Sequence, residues 1–170
     1  MKEVLIIRSA SVQQLDLNLP SVKNRFYGYQ LSVLTHEHSV KAVEKYTDVG
    51  RVYIYHYKSG FRFWQKPSDL DLCRFDALIV QTANTSGNGY LNVLLFALAI
   101  RPKKIYICNP ASEITEIKKS VILLRSILIF AFKLVSIVFL LPATIALFLT
   151  AAVGVCQNRI EMSGKRPHDK

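Results

Sequence analysis

The amino-acid sequence predicts an α/β protein: a parallel sheet of about five strands with crossover helices, followed by a C-terminal hydrophobic membrane helix or hairpin. Three observations carry that expectation. Apolar runs of four to six residues alternate with segments of helical pattern, which is how buried parallel strands and their crossovers read. Polar clusters holding Gly, Pro, Asn and Ser separate them. After residue 117 the composition changes, and an apolar run from Leu134 to Val155 follows, long enough to cross a bilayer as a helix.

Val4-Leu5-Ile6-Ile7 predicts a buried first strand. A polar loop follows, and Pro20 is expected to open a first helix near Ser21 to Phe26, ended by Gly28. Gln30 to Thr35 reads as the second strand and His38 to Tyr46 as the second helix, while Arg51 to Tyr55, β-branched and aromatic, reads as the third strand. A polar, aromatic stretch from His56 to Trp64 leads to a short helix around Pro67 to Arg74. Asp76 to Gln81 is the fourth strand, Tyr90 to Ile100 an apolar helix, and Lys104 to Cys108 the fifth strand. Residues Asn109 to Glu116 read as a connector. Five strands joined in this way make a Rossmann-like or flavodoxin-like sheet, with right-handed crossovers expected.

The expected domains are residues 1–117, a membrane-associated helical segment at 118–156 and a basic polar tail at 157–170. With 170 residues there is room for one ordinary domain and an anchor, not for two domains and an anchor. The apolar run at the amino terminus ends at Arg8, too short for a secretory signal core. The domain is therefore expected in the cytoplasm, at the cell membrane. Residues 1–117 carry 14 Lys+Arg and 10 Asp+Glu, against 8 and 2 in residues 118–170, so the basic half is the half beside the apolar run. Cations there are drawn to anionic headgroups, and no basic run interleaved with aromatics points to nucleic acid. Cys73, Cys108 and Cys156 are far apart and read as reduced thiols.

Apolar character from Val121 to Cys156 would make about 54 Å of helix, well beyond one hydrocarbon core. Two arrangements fit. Residues 118–133 lie at the interface and Leu134 to Val155 crosses, or the chain breaks at Pro142 and returns as a hairpin.

In open α/β sheets ligands bind beyond the carboxyl ends of the strands. Polar residues fall there: Ser9, Ser11, Gln13 and Gln14 after strand one, His36 with Glu37 and His38 after strand two, His56 after strand three, and Asn84, Ser86, Gly87, Asn88 and Gly89 after strand four. Glycines allow close backbone approach, and amides at the start of the Tyr90 helix favour an anion such as phosphate. The plainer reading of Ser86 to Gly89 is a helix-capping turn. No phosphate-loop lysine and no GxGxxG is present, so no nucleotide cofactor is expected. His36 and His38 offer two imidazoles to a metal, but a solvated helix start explains them as well. Tyr57, Phe61, Phe63 and Trp64 line an acyl or sugar site, cover the sheet, or face a membrane beside Lys58 and Arg62.

Val4-Leu5-Ile6-Ile7-Arg8-Ser9-Ala10-Ser11, then Leu19-Pro20, then Leu31-Ser32-Val33-Leu34-Thr35 resembles the start of glycosyltransferase family nine, the lipopolysaccharide heptosyltransferase family. Phe75-Asp76-Ala77-Leu78-Ile79-Val80 resembles a later strand of that family. The resemblance covers about the first 110 residues. It implies the acceptor-side half of a GT-B fold, without the donor-sugar domain. The family's Gly-Asp pair, whose aspartate is regarded as catalytic base, falls on Gln13-Gln14. An amide cannot take a proton as a carboxylate does, and Asp16 is offset from that position. The implied protein is a membrane-anchored, glycosyltransferase-like accessory subunit in cell-envelope glycan or glycolipid assembly, inactive alone. Its implied partners are membrane lipid, a lipid-linked sugar phosphate and a soluble donor-binding glycosyltransferase. A non-catalytic scaffold that recruits a cytosolic enzyme is the alternative, and an unrelated enzyme using His36 or His56 is a third.

Overall fold

Strand β1 (Glu3–Ile7) lies inside the sheet, paired on both sides to strands far from it in sequence. The other strands are β2 (Gln30–His36), β3 (Val49–Tyr55), β4 (Ala77–Gln81), β5 (Lys104–Cys108) and β6 (Ile114–Ile117). Their order is β3-β2-β1-β4-β5-β6, parallel from β3 to β5, with β6 antiparallel at the edge. This computed structural model describes residues 2–58, 60–85, 87 and 89–164. It is a mostly parallel, Rossmann-like α/β sheet.

All five expected strands are present. The sixth corrects the sequence reading, because it occupies the segment taken as a connector. β6 has no apolar run, and Thr115 and Glu116 face solvent. What makes it a strand is the open edge of β5, whose backbone groups it pairs, with Lys104 and Glu116 bridged at 3.1 Å across the pair.

Alternation along β1 divides the core between two faces. Leu5 and Ile7 join Leu34, Leu78, Val80 and Ile105 on one face, covered by Leu94, Phe96, Ala97 and Ile100 of helix α3 (Leu91–Ile100). Val4 and Ile6 join Val33, Ile79 and Tyr106 on the other, covered by Leu15, Leu19 and Val22 of helix α1 (Val12–Arg25). Complete burial of a side chain of this size is worth about 1.5–3 kcal/mol. Helix α2 (Val40–Val43) contributes Val43 to the α1 face.

Three helix expectations change. α1 begins eight residues before Pro20, capped by Ser11, whose side chain accepts the Gln14 N–H at 3.2 Å. Pro20 therefore lies inside the helix. The N–H it lacks would have bonded the Asp16 carbonyl, and both residues are on the exposed side, where water can serve that carbonyl. The second helix shrinks to a 3₁₀ turn (Glu37–Ser39) and the single turn of α2, and the short helix near Pro67 is a 3₁₀ turn (Ser68–Leu70).

Helix α4 (Lys119–Gly164) is one 46-residue helix, about 69 Å long. Pro142 lies inside it and does not turn the chain back. That overturns the hairpin. Among the described residues one segment, Lys119–Leu140, is long and apolar enough to cross a membrane. The hydroxyls of Ser126, Ser136, Thr144 and Thr150 each bond a carbonyl one turn back, so the helix satisfies them internally. The chain forms two compact units, residues 1–126 and 127–170. The first turns of α4 belong to the first, where Ile122 is fully buried against the α3-face core and Lys119 donates to the Pro102 carbonyl.

Ile122→Ala, which empties a buried site, should destabilise the domain by about 2–5 kcal/mol in chemical denaturation of the full chain, whereas Ile127→Ala, exposed, should change it little. The Asp76 carboxylate is held below its ordinary pKa, first by the Lys103 ammonium at 2.6 Å and then by the Glu3 N–H at 3.1 Å. A depressed carboxylate adds stability above its unfolded value of about 3.9 and loses it as pH falls through the folded value. Asp76→Asn should therefore flatten the acid limb of a stability-versus-pH curve.

Candidate functional site

The strand order runs outward from β1 in both directions, so the direction of winding reverses between β1 and β4, and the carboxyl ends of two such strands are where open α/β sheets bind ligands. The segment after β1 and the segment after β4 meet there. Ser9 Oγ donates to the Gln81 carbonyl, and the Arg8 N–H extends the β1–β2 ladder to the Leu34 carbonyl at 3.0 Å.

Alternation puts Arg8, Thr35 and Gln81 on the α1 face, the same face as Ile6, Val33 and Ile79. The Arg8 side chain is buried, and each of its three nitrogens donates to a neutral acceptor: Nε to Thr35 Oγ1 at 2.7 Å, Nη1 to the Ala10 carbonyl at 2.9 Å and Nη2 to Ser39 Oγ at 3.0 Å. No carboxylate pairs with it among the described residues. Burial lowers its pKa from the ordinary value, yet a guanidinium stays charged in proteins. The sheet edge thus carries a desolvated positive charge.

One strand over, the Gln81 side chain is fully buried, and neither its Oε1 nor its Nε2 has a partner among the described residues. Leaving a buried amide unpaired costs about 1–3 kcal/mol. On α1, Asn18 accepts from Gln14 Nε2 and from Ser112 Oγ, both at 3.0 Å, while its own Nδ2 is unpaired among the described residues. The Cys108 thiol, register partner of Gln81, is pushed up to about 11 by burial and is inert.

The expected site residues divide. Ser9 ties the end of β1 to the end of β4, Ser11 caps α1, and Gln14 ties α1 to the Pro110 carbonyl at 3.3 Å. Gln13 is exposed on α1. Gly87 (φ +66°) and Gly89 (φ +86°) occupy the left-handed region, as a tight loop requires. A Cβ on Gly87 would meet Ile107 Cδ1 at 3.2 Å, on the α3 face. Asn84 is exposed, its carbonyl accepting from Thr82 Oγ1 at 2.8 Å, and the Tyr90 hydroxyl accepts the Ala83 N–H at 2.7 Å. Ser86 and Asn88 lie outside the described residues. Asp16 accepts from the Tyr46 hydroxyl, whose pKa burial and this bond raise to about 12.

His36 belongs elsewhere. It stands at the end of β2 in an open hollow of about 490 Å³ with Glu37, His38, Tyr55, His56, Tyr57 and Lys58. Its ring stacks on His38 with centroids 5.7 Å apart and packs against Phe61 at 5.0 Å. Among the described residues no cluster of three or more His, Cys, Asp or Glu has the geometry to hold a metal. Cys73 and Cys108 are free thiols.

Arg8 and Gln81 are the functional candidates that residue-by-residue reading passed over. Gln81 read as the end of a buried strand and Arg8 as the residue that stops one. The available signal was an amide closing one apolar strand and a charge directly after another, on the face that a helix must cover. No family model and no curated protein matches the chain.

Proposed function

We propose that this protein is a membrane-anchored, glycosyltransferase-like subunit of cell-envelope glycan or glycolipid assembly, acting on the acceptor side. Its Rossmann-like domain holds the anionic head of a lipid-linked sugar phosphate at the carboxyl ends of β1 and β4, on the cytoplasmic side of the membrane. The observation that carries this reading is the pair at the carboxyl ends of β1 and β4: a buried guanidinium without a carboxylate and a buried amide without a partner. A phosphate supplies a negative charge for the guanidinium and an acceptor for Gln81 Nε2, and charge-assisted hydrogen bonds are about twice as strong as neutral ones. An apolar helix of membrane length keeps such a head group within reach.

The chemistry available is binding and orientation. The position matching the family's base is an amide, and Asp16 is engaged by Tyr46. A soluble partner that binds a nucleotide sugar would complete the reaction.

The test uses the full chain in lipid nanodiscs, titrated with a polyprenyl-diphosphate-linked hexosamine, with the sugar-free polyprenyl phosphate and nucleotide sugars as separate arms. Saturable thermal stabilisation by the lipid-linked sugar is expected, and Arg8→Gln should weaken it by about tenfold or more, since a hydrogen bond to charge is worth about 1.5–3 kcal/mol. Gln81→Met should do two things at once, raising stability by about 1 kcal/mol by removing an unpaired amide while weakening binding. These side chains are cleaner probes than Gly87, where any side chain is strained. No stabilisation by any arm would favour the scaffold instead.

A further inference from the structure

Phe61, Phe63 and Trp64 are neighbours in sequence and part company in the fold. Phe61 is 4% exposed and covers the sheet, its ring 4.7 Å from Tyr55, 5.3 Å from Phe96 and 5.0 Å from His36. It anchors the residues directly after it. The Gln65 N–H bonds the Arg62 carbonyl at 2.9 Å, closing a tight turn with Phe63 and Trp64 at its two central positions. The Tyr55 hydroxyl braces that turn from the core, accepting the Arg62 N–H at 3.2 Å and donating to Gln65 Oε1 at 3.1 Å. Turn centres ordinarily take Gly, Asn, Asp, Ser or Pro. Here they hold Phe63 and Trp64, which are 52% and 63% exposed and packed edge to face at 4.7 Å.

Within the segment that carries this tip the charges have one sign, and Glu37 is the one acid lining the hollow beside Lys58. From His56 to Lys66 there are three cations and no acid. Lys66 is bound to Asp71, but Lys58 and Arg62 pair with no acid among the described residues. The Arg62 guanidinium lies 5.6 Å over the Trp64 ring. Tyr57, 43% exposed, lies beside Lys58.

We infer that the Arg62–Gln65 turn is a second membrane contact, in which Phe63 and Trp64 enter the headgroup boundary of an anionic bilayer and Lys58 and Arg62 meet lipid phosphates. Trp and Tyr favour that boundary, and each cation near it contributes about 1 kcal/mol. Size favours lipid over a protein partner: two aromatic side chains offer about 300–500 Å², well short of the roughly 800 Å² per side of a stable protein interface. The braced turn loses little entropy on insertion, and a tethered domain meets the bilayer at high effective concentration. The inference rests on the reading of α4 as a membrane anchor.

Trp64 is the chain's only tryptophan, so wild-type protein carries the readout and no variant need fold. The full chain is synthesised with vesicles of phosphatidylcholine, alone or mixed with phosphatidylglycerol, then floated and read by fluorescence. Expected are co-flotation, a shift of Trp64 emission to shorter wavelength, loss of intensity with brominated acyl chains, and protection from iodide, all stronger in the anionic vesicles. A floating chain whose Trp64 stays open to iodide overturns the contact and leaves the anchor standing. A floating chain with Trp64 shielded from iodide but unquenched by brominated lipid points to a protein covering the turn, which also overturns it. Equal quenching in both membranes overturns the assignment of Lys58 and Arg62 to lipid phosphates. Failure to float overturns the anchor and the contact together.

Discussion

The structure depends on β1 being paired on both sides. Its apolar run is buried on both faces, and its neighbours come from 27 residues away in β2 and 73 in β4. The register of β1 therefore sets the register of the sheet. Because the chain lays β2 and β3 on one side of β1 and returns to lay β4 and β5 on the other, the winding reverses between β1 and β4. Such a reversal is where open α/β sheets bind ligands. What stands there is chemistry: Arg8 and Gln81 continue the strands' α1-face pattern with groups that an apolar core cannot satisfy.

Arg8 serves two ends at once. Its three bonds link the β1–α1 loop, the end of β2 and the turn after it, which orders the carboxyl end of the sheet there. Its charge nevertheless remains uncompensated, and a buried cation with neutral partners gives a strong local field because the surroundings are poorly screening. Gln81 contributes nothing comparable to the fold. A buried unpaired amide weakens the domain, and such groups belong where a fold keeps polar capacity for another molecule.

Membrane attachment and ligand binding are coupled in this reading through geometry of access. An apolar helix set in a bilayer would restrict the domain to its surface, and an exposed aromatic turn, braced by Tyr55 and Phe61, would restrict its tilt as well. A lipid-linked substrate diffuses in the same two dimensions. The α4 helix achieves its attachment to the α/β unit through ordinary core packing at Ile122, so its first turns answer to the domain while its later residues expose an apolar surface.

Much of the fold was legible from residues alone. Five strands and α3 were readable because each is a strong local pattern, and the apolar C-terminal segment because its length exceeds what a small core helix needs. The mistakes share a cause. β6 exists only because β5 offers an edge, α1 starts at Ser11 because that side chain caps it and its apolar residues meet the sheet, and Pro142 stays helical because one missing hydrogen bond does not break 46 residues of helix. Of the site, the sequence by itself determined which polar residues follow the strands. Only the tertiary structure decided that Ser9, Arg8 and Gln81 come to the carboxyl ends of two adjacent strands while His36 stands in a separate hollow, and that Phe61 turns inward while Phe63 and Trp64 face out. Local pattern specifies a residue's own backbone, whereas its surroundings depend on which distant strands and turns the register brings beside it.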